Sequence, residues 1–128
     1  MSELKIQFHE ERPVFKPGEK LKGRAGWKLD RPTRSLELRL IWFTLGNATQ
    51  EAGIVRTIAF MQLLPEEMRE FEFQLPEGPH SYIGINTVLR WGVELVALPS
   101  QENTLSVFDL SPALEPVVLH GNGPRYHP

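Results

Sequence analysis

Apolar and polar residues alternate along most of this chain, and a period of two predicts strands. Leu4, Ile6 and Phe8 alternate with Lys5, Gln7 and His9. Leu21, Gly23, Ala25, Trp27 and Leu29 alternate with Lys22, Arg24, Gly26 and Lys28. Leu36, Leu38, Leu40 and Trp42 interleave with Glu37, Arg39, Ile41 and Phe43. Phe71, Phe73 and Leu75 flank Glu72 and Gln74, and Leu89, Trp91, Val93 and Leu95 flank Arg90, Gly92 and Glu94. Residues 53–62 and 104–108 predict two more strands without fixing their register. Successive side chains of a strand point to opposite faces, so each run offers one face to a core.

Turn residues separate the runs. Pro17-Gly18 precedes the second strand and Asp30-Arg31-Pro32 follows it; Gly46-Asn47 ends the third, and Pro76-Glu77-Gly78-Pro79 follows the fifth. Proline and glycine set the dihedrals that β-turns need, and proline cannot continue a central strand. Strands at this spacing predict two antiparallel sheets packed face to face. Helical signal is confined to Pro65-Glu66-Glu67-Met68-Arg69, which reads as one helical turn or a loop. The sandwich is expected over residues 1–108. Residues 109–128, with Pro112, Pro116, Pro124 and Pro128, read as a Pro-rich wrap or linker stub.

Composition narrows the function. A chain of 128 residues suits one domain, and 41% hydrophobic with 23% charged residues is the balance of a globular protein rather than a disordered one. Cysteine is absent, which excludes disulfides, thiolate catalysis and Cys-based zinc sites and fits a cytoplasmic location. The formal charge is −2 and the basic residues are scattered, so neither nucleic acid nor an anionic membrane is an expected ligand. No apolar run approaches a membrane span, and no signal peptide is read at the N-terminus. Asn47-Ala48-Thr49 matches a glycosylation sequon, which has no meaning without secretion.

Two segments resemble the arrestin N-terminal domain family. One is Val14-Phe15-Lys16-Pro17-Gly18-Glu19-Lys20-Leu21-Lys22-Gly23, an aromatic residue followed by Pro-Gly-Glu and a glycine entering a strand. The other joins Phe71-Glu72-Phe73-Gln74-Leu75-Pro76, Pro79-His80-Ser81-Tyr82-Ile83-Gly84 and Val88-Leu89-Arg90-Trp91-Gly92-Val93-Glu94-Leu95. The resemblance spans most of residues 4–98. It implies an all-β, immunoglobulin-like or arrestin-like antiparallel sandwich of two sheets, acting as a protein-binding scaffold without catalytic residues. No second sandwich and no amphipathic helix before Phe71 are read. The likeness is therefore nearer to arrestin-domain trafficking adaptors, the retromer-type subunit and bacterial sporulation-control relatives than to visual-type arrestins. The matching residues are those of turns and core, and they carry the fold.

No catalytic constellation, metal site or cofactor site stands out. Pro17, Gly18 and Gly23 lead into a strand, whereas a phosphate cradle leads into a helix. His9, His80, His120 and His127 lack metal-ligand spacing; His9 and Glu11 converge only if the first strand persists. Ser35, Ser81, Ser100, Ser106 and Ser111 sit in no nucleophile-elbow context, and paired carboxylates for glycoside hydrolysis converge only in three dimensions. Trp27, Trp42 and Trp91 are in phase with Leu and Val and so belong to the core rather than to a carbohydrate-stacking platform.

Two surfaces remain as candidates for partner binding. Ile41 and Phe43 share the outward face of the third strand with Glu37 and Arg39, and large apolar groups on a polar face mark a covered surface. Their cover is another segment of the chain, a protein partner, or a second copy in a homodimer. Lys5, Gln7 and His9 form the polar face of the first strand, whose edge offers backbone groups to an extended peptide unless it is simply a lysine-guarded solvated edge. The chain is thus expected to be a non-enzymatic adaptor or scaffold module. The alternatives are a ligand-binding sandwich, such as a carbohydrate-binding module, or the accessory domain of an enzyme complex.

Overall fold

A computed structural model describes residues 1–46, 50–113 and 117–118. Its strands are β1 (Glu3–Phe8), β2 (Val14–Phe15), β3 (Lys20–Lys28), β4 (Ser35–Gly46), β5 (Ala52–Phe60), β6 (Glu66–Gln74), β7 (Tyr82–Ile83), β8 (Thr87–Leu98), β9 (Asn103–Leu110) and β10 (Val117–Val118). Among the described residues there is no helix, and hence none long and apolar enough to cross a membrane.

The alternating runs explain why the strands form two sheets. The smaller has the order β1-β3-β6, antiparallel throughout. The larger has the order β10-β7-β8-β4-β5, with β9 following β7 along the edge of β8 opposite β4, and β2 parallel to the end of β9. Leu21, Ala25, Trp27, Phe71 and Phe73 of the small sheet meet Leu36, Leu38, Leu40, Trp91, Val93, Leu95 and Phe108 of the large one in a single buried cluster. All of these are inward-phase positions of the sequence pattern, Phe108 included once β9 is in register with β8. Burying a large apolar side chain contributes roughly 1.5–3 kcal/mol, so this face holds the sheets together.

The family-like segments act as structural joints. Gly18 takes φ +81°, a conformation open to glycine, and its N–H donates to the Leu75 carbonyl at 3.0 Å. Ser81 is fully buried; its N–H donates to the Leu110 carbonyl at 2.8 Å and its hydroxyl accepts the Leu110 N–H at 2.9 Å. The Trp91 indole N–H donates to the Pro79 carbonyl at 2.7 Å.

Some elements differ from the sequence expectation. Residues 66–69 are neither a helical turn nor a loop but the start of β6, paired with β3 from Glu66↔Lys28 onward. Tertiary pairing overrides the local preference there. Arg69 takes an inward position, its guanidinium 5.6 Å from the ring centroids of both Trp27 and Phe60. The strand expected over 104–108 continues through Asp109 and Leu110, both buried. The sequon, Pro116, Pro124, Pro128, His120 and His127 lie outside the described residues.

Candidate functional site: the outer face of the large sheet

The alternation that turns Leu36, Leu38 and Leu40 into the core turns Ile41 and Phe43 outward. The register then fixes their neighbours. Ile41 pairs with Ile54 of β5 and Gly92 of β8, and Gly92 pairs with Val107 of β9, so one apolar row crosses four strands. Phe43 stands between Ala52 and Arg90. One pair further along β4, Leu45 faces Val88, which faces Ile83 of β7. Gly92 leaves room for Leu105, whose Cδ1 lies 2.7 Å from where a Cβ on residue 92 would stand. Ile54 is 61% exposed, Leu45 48%, Ile83 44%, Leu105 41% and Val107 37%. Ile41 and Phe43 are half-buried.

Charged pairs border this face. The Arg39 guanidinium lies 2.8 Å from Glu37 and 3.8 Å from Glu94. Arg90 engages Asp109 through two hydrogen bonds of 3.1 Å. An apolar centre with arginine at its margin is the composition of a protein–protein contact.

Lys5, Gln7 and His9 lie on the outer face of the other sheet, so the structure does not bring the two sets of candidates together. That face is charged rather than apolar. The His9 Nε2 is 2.9 Å from Glu70, which also holds Arg24 at 3.4 Å. β1 is an edge strand of its sheet, but it runs beside β9: the Ser2 N–H donates to Glu102 at 2.9 Å at one end, and the Phe8 and Phe108 rings meet edge to face at the other. A shallow cavity of about 240 Å³ opens on the same face at Gly26, lined by Glu3, Lys5, Lys28, Glu66 and Met68.

The described residues hold no group of three or more His, Asp or Glu side chains placed to bind a metal. Trp27 and Trp91 are buried, and Trp42 packs on the core with its indole over Gly53. No aromatic platform for stacking sugars is formed by these three rings.

Sequence reasoning reached Ile41 and Phe43 but missed Ile54, Leu45, Ile83, Leu105 and Val107. The signal for Leu105 and Val107 was present, since they alternate with Ser106 and Phe108. It became readable once Phe108 was placed opposite Trp91.

No protein-family model matches the chain, and no curated protein matches it in sequence. Solved structures match in shape. The sporulation control protein Spo0M of Bacillus subtilis superposes with a TM-score of 0.56 at 15% identity, over 85% of this chain and 49% of Spo0M. The chain thus spans about half the length of Spo0M. A β-glucosidase from Listeria innocua gives 0.49 at 13% identity over 91% of this chain and 16% of the enzyme. The alkylpurine DNA glycosylase AlkC of Pseudomonas fluorescens gives 0.44 at 9% over 85% and 30%. Likenesses as distant as the last two carry no argument. Two face-to-face sheets, the Pro17-Gly18 turn where the sequence places it and the shape shared with Spo0M make the fold an arrestin-like β-sandwich.

Proposed function

We propose that this chain is a cytosolic, non-enzymatic interaction module of the arrestin-like family that docks a protein partner on the outer face of its large sheet. The observation that carries the reading is the apolar row Ile54–Ile41–Gly92–Val107, extended by Phe43, Leu45 and Leu105 on a face whose partner-free state leaves Ile54 61% exposed. Exposed apolar surface of this extent is costly in water and is offset when another protein covers it. Spo0M is a sporulation control protein, and a regulatory role of that kind suits a module that works by binding.

The test compares wild type with Ile41→Lys/Phe43→Glu and with Lys5→Glu/His9→Ala as bait in host lysate, each checked for folding by circular dichroism. The expected result is one protein retained by wild type and by the β1 variant and lost by the outer-face variant. Truncating an aromatic anchor such as Phe43 weakens binding by about 2 kcal/mol. Loss by the β1 variant alone moves the site to the small sheet. An enzymatic activity abolished by a single polar substitution overturns the module reading.

A further inference from the structure

The apolar row on the outer face lies between two charged ones. On β8, Gly92 of the row stands midway between Arg90 and Glu94, which pair across to Phe43 and Arg39 of β4. These charges are already matched within the chain: Arg39 lies beside Glu37 and Glu94, and Arg90 is forked onto Asp109. A charge on a partner gains little there, and covering either pair with apolar groups costs desolvation of its ions. Recognition is left to the row itself, where Ile54 and Val107 are exposed and Leu105 leans over Gly92.

The backbone beneath the row has no groups to offer. β4 is paired on both sides, with β5 and β8, and β8 is paired with β4 and β9, so their N–H and C=O groups are engaged in the plane of the sheet. An extended segment laid on this face would bury N–H and C=O groups of its own without partners, whereas an α-helix closes them internally.

We propose that the partner seats an amphipathic α-helix on this face, lying along the row with an uncharged apolar stripe against Ile54, Ile41, Leu105 and Val107, a proposal that rests on the docking role given above. The dimensions fit one helix. The strip of β8 between Arg90 and Glu94 is roughly 13 Å wide, and a helix with its side chains is about 10–12 Å across. From β5 to β9 the row crosses three strand spacings. That is roughly 14 Å, the length of about ten helical residues. A second sheet, from another copy or another protein, is broader than this strip and would cover both charged rows.

The experiment selects binders of the full chain from a displayed library of random peptides about 16 residues long, enough for roughly four helical turns. Ile41→Lys and Ile54→Lys serve as parallel targets, each checked for folding by circular dichroism. Ile54 is 61% exposed, so Ile54→Lys decides if Ile41→Lys loses its fold. The expected result is enrichment of peptides with apolar residues at i, i+3 or i+4, and i+7 that gain helical signal on binding wild type. Their dissociation constants should rise at least about tenfold on the folded variants. Peptides that depend on Ile54 but alternate with a period of two, or stay non-helical when bound, overturn the helix and leave the docking face standing. A library from which no peptide depends on Ile54 overturns the helix and the face together. A mass in light scattering that rises with concentration for wild type but not for Ile54→Lys assigns the face to a second copy and overturns the proposal.

Discussion

The guanidinium of Arg90 lies fork-on to the carboxylate of Asp109, Nε and Nη2 each 3.1 Å from a different oxygen. Arg90 belongs to β8 and Asp109 to the end of β9, just past the last backbone pair between them, Trp91↔Phe108. The ion pair continues the ladder where the backbone register stops. The Asp109 side chain is only 12% exposed, so removing its partner strands a largely buried charge. Arg90→Ala is expected to lower stability by about 1–2 kcal/mol, between the values for exposed and fully buried pairs. Urea unfolding checks it, and an unchanged midpoint refutes a structural role for the pair.

Trp42 and Gly53 face each other across β4 and β5, and a Cβ on residue 53 would overlap the indole. Glycine here weakens an edge strand in isolation but lets an aromatic ring lie across the backbone. Gly53→Ala is expected to cost about 1–3 kcal/mol through overpacking and to shift tryptophan emission to longer wavelength as the ring is displaced.

Ser81 joins the segment before β7 to the end of β9 through both its N–H and its hydroxyl. Ser81→Ala leaves the buried Leu110 N–H without its side-chain acceptor, which costs about 1–3 kcal/mol. Hydrogen exchange at the Leu110 amide should quicken more than at amides in the centre of β8. Equal changes at both places would mean global loss of stability rather than release of this joint.

The Glu19 carboxyl is held below the usual carboxylate range, first by its hydrogen bond from the Arg12 guanidinium at 2.5 Å. Its folded value lies below its unfolded one, so the stability it contributes is complete above the ordinary glutamate pKa of about 4.3 and disappears as pH falls through the lower folded value. Glu19→Gln should therefore reduce the fall in stability between neutral pH and strong acid. Urea midpoints measured across that range check it; parallel wild-type and variant curves refute the linkage.

Much of the fold is legible along the chain because it rests on local alternation. The period of two assigns Leu36, Leu38, Leu40, Trp91, Val93 and Leu95 to one face, and Pro17-Gly18 marks its turn, whatever lies far away in sequence. The start of β6 is not legible in this way. Glu66-Glu67-Met68-Arg69 has helix-forming residues after a proline, and only pairing with Lys28 through Ala25 makes it extended.

The candidate face divides along the same line. Alternation alone turns Ile41 and Phe43 away from the core, because Leu40 and Trp42 must enter it. That Ile54, Gly92 and Val107 stand beside Ile41 follows from strand order and register, and these bring together residues up to 66 positions apart in the chain (41 to 107). Hydrophobic periodicity is a property of neighbours in sequence, whereas a surface is made by neighbours across strands. The sequence determined which side chains point outward, and the tertiary structure decided which of them form one patch.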